Sequence, residues 1–136
     1  MNMPTPEFMV QAKDFQLERF VQAQDRVYAD VLDELRQGNK TSHWMWFIFP
    51  QHRELGRSTL ARHYGIRTLQ EARAYLAHTV LGPRFLQCCQ LLLTHTGKTA
   101  LEILHHPDDL KLRSSMTLFA MAAPNEPIVQ QVLNQF

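Results

Sequence analysis

The side chains best suited to chemistry lie in two motifs, at residues 42–51 (SHWMWFIFPQ) and residues 108–119 (DDLKLRSSMTLF). Core packing explains the tryptophan, phenylalanine and isoleucine side chains, but it does not require the polar side chains among them. An unpartnered polar group costs about 1–3 kcal/mol when it is buried. We therefore expect these polar groups to contact each other, the backbone or a ligand. They are His43, Gln51, Lys111, Ser114 and Ser115.

The 42–51 motif has the residue types of a nucleotide or nucleobase pocket. His43 can act as a general base, and Trp44 and Trp46 can form a stacking wall. The alternative is a structural role, in which His43 caps a helix or bridges two helices. Both tryptophans then fill the core, as aromatic runs usually do.

The 108–119 motif suits an anion. If a helix begins at Asp108, Lys111 and Ser115 lie on one face, whereas Asp109 and Arg113 pair on another. An ammonium group beside hydroxyls can hold phosphate or carboxylate. The sequence does not show which polar groups approach one another, so no catalytic residue is predicted. The candidate ligand-binding residues are His43, Trp44, Trp46, Gln51, Asp109, Lys111, Ser114 and Ser115.

Two other fragments imitate catalytic signatures and fail at one position each. Gly-Lys-Thr at residues 97–99 resembles the end of a phosphate-binding loop, but Leu92 stands where that loop needs its first glycine. Gly-Arg-Ser at residues 56–58 resembles a nucleophile elbow, but Leu60 stands where its turn needs glycine. We expect neither site.

The histidines and cysteines do not predict a metal or redox centre. The chain has seven histidines, but no two are three to five residues apart, the spacing that places two imidazoles on one helical face. Cys88 and Cys89 are neighbours among leucines, so we expect buried, inert thiols rather than a disulfide. We expect no metal and no cofactor.

Composition indicates one soluble globular domain. Of the 136 residues, 45% are hydrophobic and 20% charged, and the formal net charge is +1. That charge argues against a polybasic nucleic-acid binder. The first residues lack the pattern of a secretory signal, and no apolar run is long enough to span a membrane. A cytoplasmic location is therefore predicted.

Charge is distributed unevenly along the chain. Residues 14–36 are rich in acidic side chains, whereas residues 52–84 carry six arginines and only two acidic side chains. Two interpretations stay open: basic helices that are solvated or dock on the acidic one, or a phosphate-binding face. The arginines are Arg53, Arg57, Arg62, Arg67, Arg73 and Arg84.

Periodicity and capping residues predict an all-α fold. Apolar residues recur at three- and four-residue steps from Leu17 to Leu35, and Gly38 suits the C-terminal cap of that helix. We expect residues 1–13 to form a flexible N-terminal tail and residues 14–136 to form a single compact bundle of about six to eight short helices. The later helices are predicted near residues 42–50, 58–64, 68–77, 83–95, 99–106, 108–122 and 128–136. Their expected starts include caps at Ser58, Thr68, Thr99 and Asp108, and Pro83.

Several segments resemble a known family. They are residues 42–51, Leu55-Gly56 with Ser58, Tyr64-Gly65-Ile66, Leu81-Gly82-Pro83-Arg84 and residues 111–119. Together they resemble a bacterial domain family of unknown function, often labelled automatically as calpastatin, and the likeness covers residues 14–136. The resemblance implies an all-α fold and no particular reaction. We consider the calpastatin label wrong, because it denotes an extended protease inhibitor rich in charge and proline.

The chain departs from the family's pattern at two places. Where relatives tend to have Leu-x-Gly-Leu-Gly, residues 52–56 read His-Arg-Glu-Leu-Gly. Where relatives tend to have Ile-Phe-Gly, residues 103–105 read Ile-Leu-His. Both departures lie beside the motifs, so we expect the rim of a site there to differ from that of relatives.

Three classes of function stay open. The first, and the best fit, is a pocket between the two motifs that binds a small phosphate- or carboxylate-bearing ligand such as a nucleotide. The second is a protein-interaction or regulatory module without catalytic activity. The third is weak nucleic-acid binding through the arginine-rich residues 53–84, although the net charge is against a nucleic-acid partner. The sequence predicts neither an enzymatic reaction nor an oligomeric state.

Overall fold

Nine α-helices joined by short loops make up the part of the chain that the structure, a computed structural model, describes, residues 15–136. The predicted tail at residues 1–13, and Asp14, lie outside the described residues. In chain order the helices are α1 (Glu18–Asp25), α2 (Tyr28–Gln37), α3 (Met45–Ile48), α4 (Thr59–His63), α5 (Leu69–Ala77), α6 (Leu81–Leu93), α7 (Ala100–Leu104), α8 (Asp108–Ala122) and α9 (Pro127–Gln135).

The predicted all-α fold is confirmed. A 3₁₀ turn at Arg53–Leu55 separates α3 from α4. Residues 15–136 contain no β-strand, and a single bridge pairs His52 with Ile66. None of the described helices combines the length and apolar character needed to cross a membrane.

The first predicted helix is wrong in one respect, because it is two helices. The chain breaks between α1 and α2 at Val27, whose φ is −134°. The two segments bury their apolar faces against different partners, since α1 packs on α3 whereas α2 packs on α6. This break raises the number of described helices one above the predicted six to eight. Gly38, with φ of +70°, caps α2 as predicted.

Side-chain caps confirm three of the predicted helix starts. Ser58 accepts a hydrogen bond from the Ala61 amide at 3.0 Å, and Thr99 forms a complete capping box with Glu102. Thr68 accepts from the Glu71 amide. The Glu71 carboxylate, however, turns to other partners, so that box is only half formed.

Two predicted helix starts are corrected. Asp108 is the first residue of α8 and not its N-cap, because its carboxylate is engaged with Lys40 and Lys111 instead. Pro83 is the third residue of α6, which begins earlier, at Leu81. The earlier start is stabilised by His78, whose Nδ1 accepts hydrogen bonds from the amides of residues 80 and 81.

The core lies where α5, α6 and α8 meet. Tyr75, Phe85 and Phe119, one from each helix, form a cluster of aromatic rings whose centroids are 4.6–6.2 Å apart. Cys88 and Cys89 are buried beside this cluster, as predicted, and no disulfide joins them. Burial raises the pKa of the Cys88 thiol to about 12, so the thiol is protonated and unreactive near neutral pH.

Candidate functional site

Glu34 of α2 organises the first wall of the candidate site. Its carboxylate, 9% exposed, accepts hydrogen bonds from the amides of Thr41 and Ser42, the Ser42 hydroxyl and the Trp44 indole, at 2.5–3.0 Å. Burial opposes its ionisation, but the hydrogen bonds outweigh burial and lower the pKa of Glu34 to about 2. One carboxylate of α2 therefore holds residues 41–44 in place.

Lys40 joins this wall to the second motif. Its ammonium donates to the Ser42 carbonyl at 2.6 Å, lies 2.9 Å from Oδ2 of Asp108, and lies 5.0 Å from the ring centroid of Trp44. The Lys111 ammonium is 3.7 Å from the other carboxylate oxygen of Asp108. Asp108 thus lies between two cations at the N-terminus of α8, where the helix dipole favours a negative charge.

A solvent-open cleft of about 370 Å³ lies between the two motifs. Trp46 forms part of its wall and is half-buried, with the His43 ring centroid 6.4 Å from its own and the Lys111 ammonium 6.0 Å from its centroid. Such a ring presents a stacking surface next to a cation. The ionisable side chains around the cleft are Lys40, His43, His105, His106, Asp108 and Lys111.

Residues 105–108 form part of the rim of the cleft, and two features stand out there. His105 has φ of +67° and ψ of 166°, a conformation that is essentially confined to glycine, and its Nε2 lies 2.7 Å from the Asn39 side-chain oxygen. His106 has its Nδ1 3.3 Å from Oδ1 of Asp109. The backbone at His105 thus has a glycine-like conformation at the position where the resemblance implies glycine.

The structure brings three of the eight predicted ligand-binding side chains to the open surface of the cleft, namely His43, Trp46 and Lys111. Trp44 lies beneath its wall and is 1% exposed, so the structural role considered for both tryptophans applies to this one. That His43, Trp46 and Lys111 bind a ligand stays a prediction.

The remaining predicted side chains lie away from the cleft. Gln51 is half-buried, and its backbone carbonyl accepts a hydrogen bond from the backbone amide of Ile66. Asp109 lines a neighbouring groove with α7 and α9. Ser114 is half-buried on α8, and Ser115 is fully buried, with no hydrogen-bond partner for its Oγ among the described residues. Lys111 and Ser115, which were predicted to share one face of the helix, therefore lie in different places: Lys111 lines the cleft, whereas Ser115 is buried in the core.

Sequence reasoning missed Lys40, Glu34 and the part that Asp108 plays. A single lysine after a helix C-cap is usually solvated, so Lys40 gave no signal of its own. The periodicity of α2 offered a signal for Glu34, because Glu34 follows the apolar Val31 by three residues and so lies on the buried face.

Two of the six arginines at residues 53–84 contact distant parts of the fold, and a third pairs with a carboxylate four residues along the chain. Arg84 lies 2.8 Å from Asp25 and over the Tyr28 ring, Arg73 donates to the Ala122 carbonyl, and Arg67 lies 3.2 Å from Glu71. The Arg84 pair joins the basic segment to the acidic one. This agrees with the docking interpretation of the charge pattern for that residue.

The chain matches a known family along almost its whole length. The family model DUF1810, whose description is "Protein of unknown function", matches residues 14–136. The chain belongs to this family. Its structure is similar to the crystal structure of the conserved hypothetical protein Rv1873 from Mycobacterium tuberculosis, with 51% identity, a TM-score of 0.88, and coverage of 90% of this chain and 88% of the other. No curated protein matches the chain. The family and the solved structure confirm the predicted resemblance without adding a reaction.

Proposed function

We propose that the cleft binds a small molecule that carries a planar aromatic group and a phosphate or carboxylate, as a nucleotide does. One observation carries this proposal: half-buried Trp46 lies on the wall of a cleft of about 370 Å³, with the Lys111 ammonium beside its ring. A volume of this size suits a small ligand. The ring suits a base, and the cation suits an anionic group.

The lining of the cleft favours an anionic ligand at Lys111. The ionisable side chains that line it are Lys40, Lys111, Asp108 and three imidazoles, whereas the Glu34 carboxylate lies behind the wall and is satisfied by its four hydrogen bonds. Lys40 is almost completely buried and held at 2.9 Å, whereas Lys111 is more exposed and lies at 3.7 Å. Lys111 is therefore the cation that can move to a ligand, while Lys40 keeps Asp108 in place.

Tryptophan fluorescence tests the proposal directly, because the chain has two tryptophans and the indole of Trp44 is buried against Glu34. We expect AMP and ADP to quench Trp46 emission saturably, and adenosine or ribose 5-phosphate alone to bind more weakly. The quench should disappear in Trp46→Phe. Absence of saturable quenching by any of these compounds at millimolar concentration contradicts the proposal.

A matched pair of lysine variants tests the role of charge. Lys111→Met should raise the Kd about tenfold or more, since a hydrogen bond to a charged group contributes about 1.5–3 kcal/mol. Lys98→Met is the control, because the Lys98 ammonium contacts the Gly38 carbonyl and does not line the cleft. Equal affinities of the two variants for the ligand would show that Lys111 does not contribute to the proposed site.

The protein-interaction alternative is favoured by a different feature, an apolar groove of about 250 Å³ between α7, α8 and α9. Leu101 and Leu110 line this groove and are 52% and 57% exposed, so both add exposed apolar surface to it. Under this alternative, a stoichiometric partner isolated from an extract is lost with Leu110→Glu and retained with Lys111→Met. The opposite pattern places the interaction at the cleft.

A further inference from the structure

His106 and Asp109 form a side-chain pair at the start of α8. Nδ1 of His106 lies 3.3 Å from Oδ1 of Asp109, whose side chain is 18% exposed. That oxygen is shielded from solvent and has no hydrogen-bond partner among the described residues. The imidazole is 67% exposed and lines the cleft. The ring can turn, and its Nδ1–H is the donor that lies within reach of the unsatisfied oxygen.

With the ring turned so that Nδ1–H donates to Asp109, the pairing determines which imidazole nitrogen is basic. Asp109 is the second residue of α8, where the helix dipole favours an ionised carboxylate. A carboxylate at Nδ1 retains the proton there, so the lone pair is on Nε2. Nε2 is the nitrogen remote from Asp109 on an exposed ring. The arrangement is that of a general base oriented by a carboxylate.

We infer that the cleft hydrolyses a terminal phosphate bond of the nucleotide-like ligand, with His106 as the general base and Asp109 as its positioning residue. This inference rests on the proposed function. Nε2 of His106 accepts a proton from water, whose oxygen forms a bond to the phosphorus. The bond from phosphorus to the leaving oxygen breaks on the opposite side, the leaving oxygen takes a proton from water, and Nε2 returns its proton to water. The products are inorganic phosphate and the dephosphorylated ligand.

Lys111 contributes the positive charge that this step requires. Negative charge grows on the leaving oxygen while the bond to phosphorus breaks, and a nearby ammonium stabilises it. Lys111 lies in the same cleft, and its contact with Asp108 is longer than that of Lys40. The cleft thus holds a base, a cation and access for water.

The tautomer of His106 tests the pairing without any substrate. Long-range ¹H–¹⁵N NMR of the wild type should show neutral His106 with its proton on Nδ1. In Asp109→Asn the population should move towards the Nε2–H form. An exposed histidine outside the cleft, His63, is the control and should not respond. If wild-type His106 has the Nε2–H form, the inference is wrong.

Phosphate release tests the chemistry. We expect the wild type to release inorganic phosphate from AMP or ADP. His106→Gln should slow release about 100-fold or more, and Asp109→Asn about 10–100-fold. Trp46 quenching should persist in both variants, so that release is compared at saturating ligand, and His63→Gln should match the wild type. Circular dichroism establishes that each variant is folded.

The outcomes separate this inference from the proposed function. Quenching with release that depends on His106 supports both. Quenching without release from either nucleotide, or with equal release by His106→Gln, overturns the hydrolytic inference and leaves the binding proposal. Neither quenching nor release by the wild type overturns both.

Discussion

Lys40 and Asp108 form an ion pair between the loop after α2 and the first turn of α8, with Nζ 2.9 Å from Oδ2 and side chains that are only 7% and 17% exposed. Because Lys40 also donates to the Ser42 carbonyl, the pair ties both motifs to one point. The distance between the walls of the cleft therefore depends on this contact.

Removing Lys40 should destabilise the fold. Breaking a buried ion pair costs about 3–5 kcal/mol, and we expect Lys40→Met to lower the free energy of unfolding by about 3 kcal/mol, since Asp108 keeps Lys111 as a partner. Urea unfolding measures the change. Arg36→Met is the control, because its pair with Asp33 is exposed and contributes about 0.5 kcal/mol or less. Similar losses in the two variants would show that the Lys40 pair is not structural.

Glu34 should make stability depend on acid pH. Its folded-state pKa, about 2, lies below the ordinary value of 4.5. Its contribution, on the order of 3 kcal/mol, is therefore present above pH 4.5 and is lost as the pH falls towards 2. Denaturant unfolding should show wild type more stable than Glu34→Gln at pH 7. The difference should shrink across that interval, and a constant difference would contradict this account.

At position 105, glycine should give a more stable protein than alanine, which is the reverse of their usual order. Its φ of +67° with ψ of 166° disfavours any side chain by about 1–3 kcal/mol. We expect His105→Gly to be about 1–2 kcal/mol more stable than His105→Ala in thermal or urea unfolding. At Gln90, an exposed helical residue of α6, the alanine variant should be the more stable by up to about 1 kcal/mol. The same order at both positions would exclude strain at His105.

Ser115 should be replaceable by alanine without loss. Its Oγ is fully buried and unpartnered, so Ser115→Ala should raise the free energy of unfolding by about 1 kcal/mol. Nucleotide affinity should not change, because the residue does not line the cleft. Ser58→Ala should have the opposite effect, a loss of about 1 kcal/mol, since it removes a helix cap. A large loss of stability at Ser115 would mean that its hydroxyl has a partner.

The helices were predictable where their ends depend on local chemistry. Ser58, Thr99 and Gly38 act through neighbours within a few residues, and each behaves as its type predicts. The break at Val27 was not predictable in this way, because the apolar spacing continues across it. Its position follows from which helices α1 and α2 meet, and contacts distant in sequence determine that.

The candidate site was predictable only in part. Residue types placed Lys111 and Trp46 in one hypothesis, and the fold brings them together. Ser115 was predicted to bind a ligand because it is polar, although its position on the helix indicates burial. It has the same helical face as Leu112 and Phe119, which are buried. Lys40 lies outside both motifs, so its role appears only when residues 40 and 108 are close in space.

The four hydrogen bonds to Glu34 also have a consequence for how a ligand binds. Hydrogen bonds within the protein hold residues 41–44, so a ligand does not need to order that wall. The entropy lost on binding then falls on the ligand and on the side chains of the opposite wall, above all Lys111 and His106. The wall at residues 41–44 is thus fixed before a ligand binds, whereas the wall that carries the Lys111 ammonium and the His106 imidazole adjusts to the ligand.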